Sequence, residues 1–256
     1  MTRKMAEMTW MEVRDAIAGG SGVILPIGAT EQHGPHLPIC VDTVCPEQMA
    51  VEVGERTNML VAPPLAYGYR SRPTSGGGQT FPATTSLRGS TLQAMVEDIL
   101  KEFVRSGFKR IVLLSWHVEN QNWIYEAAFL VTEEIKKDYQ DVTIMVYEAA
   151  IFDLKPKTME FVFGDQFPGW AIEHASICET SVMLYKFPEL VHFDRAIDDC
   201  AEYYPVYDIL PIPERIVAPS GTLWKATLGT EEKGKRIWEE SVDFIVEGIT
   251  KELGNK

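Results

Sequence analysis

Basic residues are scarce in this chain of 256: 24 Lys and Arg stand against 37 Asp and Glu, a formal net charge of −13. No Lys/Arg run stands out, which argues against nucleic acid or an anionic membrane as partner. Only four cysteines occur (Cys40, Cys45, Cys178, Cys200), with no CxxC pair. That excludes a disulfide framework and suits reduced thiols in the cytoplasm. No apolar run reaches membrane-spanning length, and the opening "MTRKMAEMTW" lacks the apolar core of a signal peptide. Internal repeats, low-complexity tracts and a clear domain linker are missing as well, so one domain over residues 1–256 is expected. Histidine is rare too, at five, and two of the five fall within "GATEQHGPHLPICVD" (28–42).

Short apolar runs alternate with helical patterns along the chain. "GVILPIG", "NMLVAPPLAYG", "KRIVLLSW" and "VTIMVYEAA" read as buried strands, the second cut short by Pro63 and Pro64. A helix opens at Ser90, with Gln93 completing a capping-box pattern. Its apolar stripe is Leu92, Met95, Val96, Ile99, Leu100, Phe103 and Val104, and Gly107 ends it. Other helices are expected over about 43–56, 122–137 and 170–186, and from about 230 onward. Such alternation predicts an α/β fold, a three-layer α/β/α sandwich around a mostly parallel sheet. Two irregular stretches remain, 67–86 and the Pro-rich 203–221, and long loops in such domains are often functional.

In open α/β sheets, ligands bind beyond the carboxyl ends of the strands. Glu31 and His33 follow the first strand, and His117 and Glu119 follow "KRIVLLSW". Either triplet alone is ordinary turn chemistry. At equivalent ends of parallel strands the two would converge, with Asp42 folded back by Gly34, Pro35 and Pro38. Two imidazoles and three carboxylates exceed what one ion takes, so a pair of ions bridged by Asp42 fits better. Nitrogen and oxygen donors without thiolate point to Zn²⁺ and/or Mn²⁺. Such a pair can hold a bridging hydroxide that is nucleophilic at neutral pH. The segment "SGGG" is not a P-loop, since no Gly-Lys-Ser/Thr follows.

"PIGATEQHGPHLPICVDT" resembles the signature loop of the creatininase (creatinine amidohydrolase) family. "LAYGYRSRPTSGGGQTFPATTSL", "WHVENQNW", "GWAIEHASICETSVML" and "YPVYDILP…APSGTL" resemble further segments of that family in the same order, over nearly the whole chain. The resemblance implies one ion on Glu31, Asp42 and His117, and a second on His33, Asp42 and Glu119. It makes His174 the proton-transfer residue, with Glu119 also catalytic, and puts Trp170, Ser75, Gly76, Gly77 and Val118 against substrate. Trp170 is four residues before His174, which on one helix puts both on one face. His36 is expected only to orient a ligand, and His192 to be structural or exposed. Glu173 and Glu179 are expected either to accept hydrogen bonds behind the ligands or to be plain helix charges. The resemblance further implies a homohexamer.

The implied reaction is opening of a small cyclic amide, creatinine to creatine, reversibly. Several pocket positions depart from the family pattern: Trp116 replaces Gly, Val118 replaces Tyr, Ala171 replaces Asp, and Ala149 or Ala150 stands where a lid Trp is expected. Other small amides are therefore open as substrates, among them a formamido-pyrimidine nucleotide or a cofactor-precursor peptide. A non-catalytic metal- or ligand-binding protein on this scaffold is the alternative from another class.

Overall fold

The computed structural model describes residues 2–147 and 150–254. The principal elements, in order, are α1 (Trp10–Ala18), β1 (Gly22–Ile27), α2 (Val41–Thr57), β2 (Met59–Val61), the single turn α3 (Pro73–Gly76), α4 (Gly89–Ser106), β3 (Arg110–Ser115), α5 (Gln121–Ile135), β4 (Thr143–Tyr147), α6 (Pro156–Phe163), α7 (Ile177–Lys186) and α8 (Glu231–Leu253). Among the described residues the four strands form one parallel sheet in the order β2-β1-β3-β4. Every residue of β1 is buried, because helices cover both faces.

Alternation along the strands sorts the core into two layers. Val23, Leu25 and Ile27 of β1, with Ile111 and Leu113 of β3, pack against Leu92, Val96 and Leu100 of α4 and Ile124 and Val131 of α5. Ile24, Val112 and Leu114 point the other way, onto Met49 of α2, Val182 of α7 and Ile237, Trp238 and Ile245 of α8. The result is a three-layer α/β/α sandwich. Pro26 sits in a central strand, yet its missing amide breaks no ladder bond. β2 has already ended at that level, and the Pro26 carbonyl accepts from the Leu65 amide at 3.0 Å.

Three sequence expectations change here. The capping box at Ser90 does not form: the helix starts at Gly89, and Gln93 donates to Glu97 instead. Met95, expected inward, is 39% exposed. The helix expected over 170–186 is two pieces, a 3₁₀ turn at Trp170–Ile172 and then α7. Between them lies Ala175, with φ 49, a left-handed conformation in which no regular helix continues. Trp170 and His174 therefore share no helical face. No helix among the described residues is long and apolar enough to cross a membrane.

Candidate metal centre

The carboxyl ends of β1 and β3 are neighbours, since Ile27 pairs with Ser115, and each strand releases its chain into a loop at that edge. The loop after β1 carries Glu31 and His33 and returns to start α2, so Asp42 falls in that helix's first turn. A helix N-terminus favours a carboxylate there. Gly28 makes the return possible: a Cβ on it would lie 2.2 Å from the Asp42 carbonyl oxygen. The loop after β3 supplies His117, and the first turn of α7 supplies Glu179.

These side chains form buried donor groups whose atoms all lie within 4.8 Å of one another. One is Glu31, Asp42 and His117; the other is His33, Asp42 and Glu179. His117 Nδ1 lies 3.1 Å from Glu31 Oε2 and 3.2 Å from Asp42 Oδ2. His33 Nε2 lies 3.4 Å from Asp42 Oδ1 and 3.6 Å from Glu179 Oε1. Asp42 thus turns one oxygen to each group. A third group, Glu31, His33 and His174, brings His174 to the same place.

Backbone contacts aim both imidazoles. His117 Nε2 donates to the Tyr69 carbonyl at 2.8 Å, and His33 Nδ1 donates to the Glu31 carbonyl at 3.1 Å. In a neutral ring, each contact leaves the other nitrogen with a lone pair facing carboxylate oxygens. Glu31 Oε1, His33 Nε2 and Asp42 Oδ2 are buried without a hydrogen bond, a costly state that a cation relieves. Nitrogen and oxygen donors with no thiolate suit Zn²⁺ or Mn²⁺. The residues fit two divalent ions.

The electrostatics agree. Burial disfavours charge on both histidines, but Asp42 and Glu179 beside His33, and Glu31 and Glu119 beside His117, hold each imidazolium well above its ordinary range. Burial likewise opposes ionisation of Asp42 and Glu179, yet His33 and its neighbours hold both carboxyls below the usual value. Without metal, protons supply the positive charge that this cluster demands. Glu173 behaves oppositely: burial, then the charge of Glu179, pushes it up to about 8. It accepts from the Cys178 amide at 2.6 Å.

Glu119 is placed differently from expectation. It belongs to none of the three donor groups. Its Oε1 accepts from the Ser75 hydroxyl and, at 3.3 Å, from the Arg72 amide; its Oε2 is 3.6 Å from His117 Nε2, the nitrogen turned to Tyr69. The carboxylate that stands with His33 and Asp42 is Glu179, fixed by the Ala175 amide at 2.7 Å and by Trp116 Nε1 at 3.3 Å. From sequence alone Glu179 reads as a hydrogen-bond acceptor behind the ligands or a plain helix charge. The available signal was a carboxylate in the first turn of the otherwise uncharged run "ASICETSVML".

Ser75, Val118, Glu119, Trp170 and His174 line the small cavity over the donors. Gly76 presses on Glu31, where a Cβ would come 2.0 Å from Oε1, and Gly77 ends that turn with φ 75. His174 Nε2 lies 2.9 Å from the Gln32 carbonyl, and its ring centroid is 4.4 Å from that of His33. Gln32 ties the loops together through its amide, which donates to the carbonyls of Gly76 and Gly221. His36 stands apart from the donor groups, its Nε2 2.8 Å from Thr180 Oγ1. His192 joins none of them either, and its backbone amide donates to the His36 carbonyl. Of the lid position, Ala149 and the side chain of Ala150 lie outside the described residues.

A parallel α/β/α sandwich with carboxylates and histidines paired around one shared aspartate defines a class, the binuclear metal-dependent hydrolases. Comparison with known proteins narrows it. The family model described as "Creatininase: Creatinine amidohydrolase" matches residues 6–249. Creatinine amidohydrolase of Pseudomonas putida is 41% identical over 252 residues, covering 97% of this chain and 96% of that one. The mycofactocin precursor peptide peptidase of Mycobacterium ulcerans is 30% identical, with 90% and 84% covered. A creatininase structure in a manganese form superposes with a TM-score of 0.93 at 38% identity, covering 98% and 99% of the two chains. A mutant creatininase of Zn–Zn type gives 0.94 at 37% identity, covering 98% of each. The chain belongs to the creatininase family of hydrolases.

Proposed function

We propose that the chain hydrolyses the C–N bond of a small amide, with ring opening of creatinine to creatine as the leading reaction. The observation that carries this reading is the pair of donor groups sharing Asp42, with His174 beside them. Glu31, Asp42 and His117 would hold one divalent ion, and His33, Asp42 and Glu179 the other, Zn²⁺ and/or Mn²⁺. Bound ions supply polarisation of the amide carbonyl and acidification of a water molecule at neutral pH.

The chain's own groups do the rest. Ser75 borders the substrate space, with Gly76 packed behind it on Glu31, while Trp170 and Val118 narrow the entrance and limit bulk water. Glu119, held by Ser75, is placed to take a proton as water adds to the carbonyl carbon. His174, oriented by the Gln32 carbonyl, delivers a proton to the departing nitrogen as the C–N bond breaks. Hydroxyl goes to carbon and hydrogen to nitrogen, and the same path run backward closes the ring.

A second reading keeps the chemistry and changes the substrate to another small amide. Val118 and Ala171 favour it, because both line the space where a substrate would enter. The same resemblance supports a single-domain cytoplasmic protein that assembles into a homo-oligomer, a hexamer in the family. Tyr125 and Phe129, exposed 56% and 51% one turn apart on α5, suit a covered face. The decisive experiment measures metal per chain and creatinine turnover before and after chelation. Turnover should vanish with the metal and return on adding Mn²⁺ or Zn²⁺; unchanged turnover by metal-free protein overturns the reading.

A further inference from the structure

The space above the donors is two chambers joined at a neck. The inner one, over the metal-binding side chains, has a volume of about 40 Å³. The outer one is about 480 Å³ and reaches the surface. Ser75, Val118, Glu119 and Trp170 line both and form the neck. A chamber of this size accommodates much more than a single small ring.

Its walls are selective in character. Trp123 is a fixed wall: its ring packs 5.2 Å from that of Tyr69, and it lies over Gly89, where a Cβ would come 2.1 Å from the indole. Trp170 is buttressed by Phe167 at 5.0 Å and Phe163 at 6.0 Å. Two indoles at one opening offer flat apolar surface to a planar or apolar group. Arg72 is the basic side chain of the chamber, and its partner Asp208 lies 3.8 Å away with both side chains more than half exposed. So loose a surface pair contributes little and exchanges readily for another carboxylate. The acidic group of the chamber, Glu119, already accepts from Ser75 and from the Arg72 backbone. In a chain of net charge −13, a guanidinium at the mouth of the site favours an anion where the rest of the surface repels one.

We propose that the outer chamber is a substrate subsite taking an apolar or planar arm that ends in a carboxylate, so that beside the bare creatinine ring the site accepts, and binds more tightly, an amide bearing such an arm. This rests on the reading that the inner chamber hydrolyses an amide. Trp123 and Trp170 would grip the stem and Arg72 the carboxylate, while the amide carbonyl reaches through the neck to the donors.

The test is calorimetric binding to the Mn²⁺-loaded protein of three probes: a five-membered lactam with a carboxybenzyl arm, its benzyl counterpart without the carboxylate, and the bare lactam. The carboxybenzyl probe should bind about tenfold or more tighter than the benzyl one. Arg72→Gln, an exposed change, should erase that difference. The benzyl probe should exceed the bare lactam, and Trp123→Phe should narrow that margin. Equal or undetectable binding of all three, or an Arg72→Gln protein that keeps the carboxylate preference, overturns the proposal. Creatinine turnover by the same loaded protein is read separately. Its absence would count against the hydrolytic reading, whereas arm-dependent affinity alone decides the subsite.

Discussion

His33 Nε2 lies 3.6 Å from Glu179 Oε1, with Asp42 beside both, so a carboxylate from the first turn of α7 joins this donor group. Glu119 is left to hold Ser75 and face the substrate cavity. The two glutamates should therefore fail differently. Glu179→Gln should cost one of two ions per chain at micromolar metal, visible by elemental analysis. Glu119→Gln should keep both ions and lose about 10²–10⁴-fold in turnover, the range typical of a lost proton-transfer group. Loss of metal from the Glu119 variant alone would reverse the assignment.

Proton and metal compete for this site. Metal-free, His33 and His117 stay protonated well above their ordinary range, despite burial, because carboxylates surround them. A group whose folded pKa is raised contributes stability that is complete below its unfolded pKa and is lost as pH rises through the folded value. Metal-free protein should thus lose thermal stability above about pH 6.5. Ion binding needs neutral imidazoles and releases those protons, so metal affinity should rise with pH, about tenfold per unit for each proton released. Chelator competition at several pH values, with melting curves of loaded and metal-free protein, measures both slopes.

What the sequence made legible follows from locality. Strand and helix periods place Glu31, His33 and His117 at the ends of β1 and β3, because those residues follow their strands directly. The two core layers follow from alternation along Val23 to Ile27 and from the stripe on α4. Glu179 was obscured because its placement depends on a break that no periodicity announces. Ala175 takes a left-handed conformation, and its amide then points at the Glu179 carboxylate. The same break separates Trp170 from the face of α7, which an uninterrupted helical reading cannot foresee.

Gly76 tests how tightly the loop of 67–86 holds the donors. A methyl group there would fall 2.0 Å from Glu31 Oε1 and 3.0 Å from Ser71 Cβ. The backbone at Gly76 is an ordinary helical turn, so the consequence is steric and not conformational. Gly76→Ala should displace the Glu31 carboxylate and weaken the ion on Glu31, Asp42 and His117 by about ten- to a hundredfold. The fold should lose about 1–3 kcal/mol, the usual cost of overpacking. Elemental analysis after dialysis, beside denaturant unfolding, separates the two effects. Full metal content in a well-folded Gly76→Ala protein would mean that the loop yields freely.

His36 offers the opposite pH signature, although it sits between Glu31 and Asp42 in sequence. Its Nε2 pairs with Thr180 Oγ1 at 2.8 Å, and its Nδ1 is buried without a partner. Burial, and then the positive charge of His33, pull it down to about 4, with Glu179 opposing weakly. The folded protein therefore keeps this ring neutral where an unfolded chain would charge it. A folded pKa below the unfolded one contributes stability above pH 6.5 and loses it as pH falls toward 4. His36→Gln keeps a hydrogen-bonding side chain for Thr180 and cannot take on charge. Melting curves of metal-free protein between pH 4 and 6.5 should fall more steeply for the natural chain than for His36→Gln, with the two slopes alike above pH 7. Parallel curves through the acid range would show that His36 charges without penalty, and its burial against α7 would then need another explanation.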